Sequence, residues 1–196
     1  MHDFLPKYYT FINTFKKEYI RKLDSNISII YRNYSNRHDK ILISEIRDFC
    51  KKINKKFFLA NNIRLAKNLN LDGVYIPSFY KSLKTHNLNT NKRFLMIGSA
   101  HSVNEIKIKE KQGVKVIFIS PLFKNKKNKV FLDSVKFNNL TLKTNLKIVA
   151  LGGINAKNII RLRQIRSYGF ASISYIETCN NFNKYICKWT ILEMNR

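Results

Sequence analysis

Two adjacent glycines, Gly152 and Gly153, stand just ahead of Asn155 and a helix-spaced apolar run, a pattern suited to holding an anion. Backbone without a Cβ approaches a phosphate closely, and a helix N-terminus adds aligned N–H donors. Ser172 and Ser174 offer hydroxyls one unit further along. The plainer reading of the glycines is a tight turn that needs positive φ. His101, in GSAHS, is of a residue type that serves as a general acid or base, although one histidine after a strand more often starts a helix or fills a hydrogen bond. His2, His38 and His86 lie elsewhere, without the spacing of a zinc site. The run 124–129, KNKKNK, supplies point cations for phosphoryl oxygens. Cys50, Cys179 and Cys187 are odd in number and widely spaced; they fit a reducing cytoplasm, with Cys50 a core helix residue rather than a nucleophile.

These groups need a scaffold, and the pattern around them predicts one. Eight short apolar runs rich in β-branched and aromatic residues fall at 8–12, 28–31, 56–60, 73–76, 94–98, 114–120, 147–152 and 170–174. Most are continuously apolar rather than alternating, which points to parallel strands covered on both faces. Between them, Ile43, Ile46, Phe49, Cys50 and Ile53 recur at helical spacing. Ile63, Ala66 and Leu69 repeat the pattern, as do Ile159, Leu162 and Ile165, with Asn155 placed to cap the last of these helices. Eight units in 196 residues leave about 25 residues for each, a compact (β/α)8 TIM barrel. An open doubly wound sheet would place a glycine-rich turn after the first strand, where this chain has Asn13-Thr14. We expect one barrel domain over 1–196, with the segment 177–196 as a last helix anchored by Ile186, Trp189, Ile191 and Leu192.

Composition narrows the function classes. A 44% hydrophobic and 13% aromatic content argues against disorder. No apolar run approaches the roughly 18–20 residues that cross a bilayer, and the first residues lack a signal-peptide pattern, so we expect a cytoplasmic protein without a membrane partner. Lys and Arg total 37 against 12 Asp and Glu, a formal +25. Such a field attracts polyanions, but the cations are dispersed rather than gathered into a stripe, so specific nucleic-acid recognition is not expected. Homo-oligomerisation is left open.

In a barrel of this kind function sits at the C-terminal ends of the strands. That filter selects Arg32, Asn61 and Asn62, Tyr75 with Pro77 and Ser78, Ser99 with His101, the stretch from Ser120 onward, Gly152-Gly153 and Ser174. The strings there also follow a known order. DGVYIPSFY, IGSAHS with Glu105, ISPLF, ALGGINAKN and GFASISYI, together with IIYRNY and FLANNIRLA, resemble thiamine phosphate synthase and its relative TenI over 28–176.

The resemblance implies a barrel that joins an aminopyrimidine diphosphate to a thiazole phosphate with magnesium help, so that its partners are small phosphorylated thiamine precursors. It assigns Arg32, Asn61 and Ser99 to catalysis, and Asn62, Asn125, Lys126, Lys127, Gly152, Gly153 and Ser174 to substrate binding. Departures from the family pattern are concentrated at one end of the site. The lysine expected two residues after Arg32 is Tyr34, and the two metal-binding aspartates fall at Asn62 and Tyr80. A Mg²⁺ site normally uses one or two carboxylates, so Mg²⁺ stays open as a cofactor whose expected ligands are missing. The lysines of the 124–129 loop are the expected substitute for its charge. TenI carries out thiazole tautomerisation; the histidine expected for it near Ser120-Pro121 is absent.

Overall fold

The structure, a computed structural model, describes residues 5–34, 39–84, 93–125, 130–179 and 182. Eight parallel strands close into a barrel in sequence order: β1 (Tyr8–Ile12), β2 (Ile27–Tyr31), β3 (Phe57–Ala60), β4 (Gly73–Ile76), β5 (Leu95–Ala100), β6 (Val116–Ile119), β7 (Lys147–Leu151) and β8 (Gly169–Ala171). Each lies within or against one of the apolar runs. Every residue of β1, β2, β3, β4, β6 and β8 is buried, because the inner face meets other strands and the outer face meets helices. The barrel closes where Tyr8 pairs with Phe170 and Tyr9 with Ala171.

Alternate strand residues fill the interior. Tyr9, Phe11, Ile30, Phe58, Tyr75, Ile97, Phe118 and Val149 form one cluster, and its aromatic rings meet edge to face. Centroid separations are 4.9 Å for Tyr9–Phe118, 5.2 Å for Phe11–Tyr75 and 5.5 Å for Tyr75–Phe118. The interior is therefore a packed core, and ligands have access only from the mouth.

The outward strand residues pack under helices α1 (Lys17–Lys22), α2 (Lys40–Lys52), α3 (Ile63–Asn68), α4 (Val103–Lys111), α5 (Asp133–Thr141) and α6 (Ser174–Thr178). Ile43, Ile46 and Cys50 are the buried stripe of α2, as their spacing predicts. Polar side chains start three of these helices: Asp39 for α2, Asn62 for α3 and Ser102 for α4 each accept from first-turn backbone N–H groups.

Two expectations are corrected. The helix after β7 is a 3₁₀ segment, Ile159–Gln164, not an α-helix. Asn155 does not cap it; its Oδ1 accepts from Lys157 N at 2.9 Å and closes the turn before it. Strand β8 ends at Ala171, so Ser174 opens α6 instead of ending a strand. In the final segment Phe182 is buried against Tyr8 and Phe170, whereas Ile186, Trp189, Ile191 and Leu192 lie outside the described residues. Among the described residues no helix is long and apolar enough to cross a membrane.

Candidate active site

The loops after β2, β3 and β4 form one side of the barrel mouth. Arg32 follows β2; its N–H donates to the Ile12 carbonyl at 2.8 Å, and its guanidinium lies 4.5 Å from the centroid of the Phe11 ring. This cation–π contact holds a permanent positive charge at the top of the barrel core. Tyr34, two residues on, meets Phe79 of the β4 loop edge to face at 5.8 Å. Burial raises the Tyr34 phenol pKa and the Arg32 charge lowers it, so the two side chains share one field.

Asn61 and Asn62 sit between these loops. Asn61 adopts a left-handed backbone, φ 61°, and its N–H donates to the Tyr75 carbonyl at 2.8 Å. Its side-chain Oδ1 is buried without a hydrogen-bond partner. An unpaired buried acceptor costs about 1–3 kcal/mol, and this one lies against a cavity of about 300 Å³ shared with Asn62, Ile76, Tyr80 and Lys84. The α3 cap commits Asn62 differently: its Oδ1 accepts from Leu65 N at 3.0 Å, so its amide NH₂ is the group it offers a ligand.

Ser99, near the end of β5, is buried and hydrogen-bonds the Tyr75 phenol, whose pKa burial pushes up to about 12. His101 is fixed by the neighbouring strand: its Nδ1 and the Ser120 carbonyl are 2.6 Å apart, so Nδ1 carries a proton and donates to that carbonyl.

The opposite side of the mouth carries the glycine pair. Gly152 and Gly153 have φ of 96° and 73°. A Cβ on Gly152 would come within 2.9 Å of Pro121 Cα, and one on Gly153 would run into the Phe123 carbonyl. The glycines thus let the β7 loop lie flat against the β6 loop, where Phe123 N donates to the Gly152 carbonyl at 3.1 Å. Asn155 and Asn158 both donate to the Gly153 carbonyl, and Ser172 Oγ donates to the Ile154 carbonyl at 3.0 Å. Ser174 is exposed at the start of α6. Lys124 is exposed and Asn125 half-buried in the β6 loop, while Lys126 and Lys127 lie outside the described residues.

The structure therefore groups the chosen residues into two sets across the mouth: Arg32, Asn61, Asn62 and Ser99 on one side, Asn125, Gly152, Gly153 and Ser174 on the other. The first set is joined by Tyr34, Phe79, Tyr80 and Lys84. Sequence reasoning had singled out Tyr34 and Tyr80 only as departures from a pattern. Phe79 stood only as part of the DGVYIPSFY string and Lys84 carries no motif; their place after a strand is the signal that could have marked them.

The donors present do not fit Mg²⁺. Among the described residues no carboxylate lines the Asn61 cavity, the Asn62 oxygen already caps α3, and Tyr80 offers a phenol. Among the described residues no cluster of three His, Cys, Asp or Glu side chains is suited to a metal. Cys50, deep under α2, has its thiol pKa raised to about 12 by burial, which makes it inert.

Comparison with known proteins agrees with this geometry. The thiamine monophosphate synthase family model matches residues 20–176. The thiamine-phosphate synthase of Prochlorococcus marinus is 28% identical over 154 residues, which is 76% of this chain and 44% of that protein. The chain thus spans less than half the length of that relative. The thiamine-phosphate synthase of Clostridioides difficile is 25% identical over 171 residues, covering 85% of this chain and 80% of its own. Among solved structures, the thiamine phosphate pyrophosphorylase from Pyrococcus furiosus superposes with a TM-score of 0.73 at 17% identity, covering 93% of this chain and 96% of that one. A family match over residues 20–176, on a closed eight-stranded barrel, places this chain in the thiamine monophosphate synthase family.

Proposed function

We propose that this chain joins an aminopyrimidine diphosphate to a thiazole phosphate, giving thiamine phosphate and pyrophosphate. The observation that carries the proposal is the Asn61 cavity, which sets an unpartnered buried acceptor in a space lined by the cations Arg64 and Lys84. The bond from the pyrimidine methylene carbon to the diphosphate oxygen breaks and the oxygen leaves with the electron pair. The thiazole nitrogen then supplies the pair for the new carbon–nitrogen bond. No proton needs to move, so the protein's task is alignment and charge stabilisation. Arg32, Lys84 and the lysines of the 124–129 loop compensate the leaving diphosphate. The backbone at Gly152, Gly153 and Ser174 receives the thiazole phosphate, and Ser99 and Asn61 set the ring between them.

The absence of carboxylates from the cavity favours a second reading, a barrel that binds these precursors without turning them over. Incubating purified protein with both precursors in excess EDTA, and again with Mg²⁺, distinguishes the two. The expected outcome is thiamine phosphate in both mixtures at similar rates. Product only with Mg²⁺ would refute charge compensation by lysine. Saturable thiazole phosphate binding without product would establish the binding protein.

A further inference from the structure

The loop after β4 presents an aromatic side chain outward while being held tightly from below. Phe79 is 61% exposed, yet the residues on both sides of it are pinned. Lys109, fully buried on α4, directs its ammonium at the carbonyls of Pro77, at 2.7 Å, and Tyr80, at 2.8 Å, with Gln112 Oε1 as third acceptor at 3.0 Å. Gln112 Nε2 donates in turn to the carbonyls of Tyr80 and Ser82. Four hydrogen bonds thus fix the backbone from 77 to 82, and an exposed ring on so fixed a loop is a preorganised surface rather than a stray hydrophobe.

Its partner is Tyr34, 52% exposed on the loop after β2. The two rings meet at 72° with centroids 5.8 Å apart. Because β3 lies between β2 and β4, the contact spans the loop that carries Asn61 and Asn62. The Arg32 charge acts on the Tyr34 phenol, and the loop that the two rings bridge carries the orphaned Asn61 oxygen.

We infer that Tyr34 and Phe79 form a stacking corner for the flat heterocycle of an anionic substrate, an amino-substituted ring whose N–H can satisfy Asn61 Oδ1. This rests on the function proposed above and assigns the aminopyrimidine ring, rather than its diphosphate, to these two residues. The corner gives ring affinity from π surface, and the cations give diphosphate affinity from charge, so the two contributions separate on mutation.

Calorimetric titration of the full chain with the aminopyrimidine diphosphate, inorganic pyrophosphate and thiazole phosphate provides the test. Tyr34→Ala and Phe79→Ala each raise the pyrimidine diphosphate Kd about tenfold, as expected for one lost stacking surface, and leave the other two ligands at wild-type affinity. Tyr34→Phe binds as wild type because the ring, not the hydroxyl, makes the contact. Phe79→Leu, which keeps apolar bulk and the fold, loses most of the same affinity. Unchanged pyrimidine binding in the alanine variants overturns the inference, as does an equal loss for pyrophosphate or wild-type behaviour of Phe79→Leu. In each of those cases wild-type binding leaves the proposed function standing. A wild-type chain that binds no pyrimidine diphosphate defeats the proposed function and the stacking corner with it.

Discussion

At Gly153 the backbone turns through φ 73° with the Phe123 carbonyl where a Cβ would go. Both features act on one position, so Gly153→Ala is expected to cost at least about 2 kcal/mol through left-handed strain and a forced shift of the β6 loop. A lower urea midpoint, together with weaker thiazole phosphate binding, is the result to look for. The same residue shows how far single positions could be read. The glycine pair was recognisable because two small residues before a helix-spaced run have few other uses. Its close fit against Pro121 and Phe123 was not, since that contact joins loops far apart in sequence. Asn61 and Asn62 looked alike in the sequence, but the fold separates them: one oxygen caps α3 and the other is left unpaired.

Among the elements, strands were legible and helices less so. Strands covered on both faces must be apolar at nearly every position, and that leaves a continuous signal. Helix α4 left none, because its inner face carries Lys109 and Gln112, two polar residues buried beneath the β4 loop. The 3₁₀ segment after β7 shows the opposite failure, since Ile159, Leu162 and Ile165 at spacings of three satisfy either helix type. Lys109 also yields a prediction for α4 as a whole. Lys109→Met keeps the side-chain length but removes the ammonium that donates to the buried Pro77 and Tyr80 carbonyls, a cost of about 2–4 kcal/mol in denaturant unfolding. Desolvation lowers the Lys109 pKa to about 8, against the opposing pull of the Glu105 carboxylate. Below pH 8 the lysine is protonated folded or unfolded and the desolvation penalty is fully in place. Between pH 8 and its ordinary value of 10.5 the unfolded chain binds the extra proton, so this group makes stability rise with pH. Subtracting the pH dependence of Lys109→Met from that of the wild type should reveal that rise; a flat difference would contradict it.

Across the whole molecule the dominant quantity is the net charge of +25. Like charges over one barrel repel, and the described ion pairs, such as Arg161–Asp133 and Lys56–Asp72, compensate only a few of the cations. Raising salt from about 0.1 M to about 1 M shortens the screening length from about 10 Å to about 3 Å, so the melting temperature should rise by a few degrees. Over the same range, retention on nucleic acid should vanish if it reflects only bulk charge. Binding that survives high salt and discriminates between sequences would instead call for a dedicated nucleic-acid surface.

The closing seam of the barrel has a consequence for how the protein comes into being. Strand β1 pairs with β2 at five positions but with β8 at two, and the outside of that joint is sealed by Tyr8, Phe170 and Phe182. On the ribosome, then, β1 waits with one edge bare while seven more strands are made. The sheet stays open at both sides until β8 has cleared the exit tunnel, and the aromatic seal waits for Phe182. Until then the sticky edges are exposed, and a chaperone that shields unpaired strands would act on this chain before closure rather than after it.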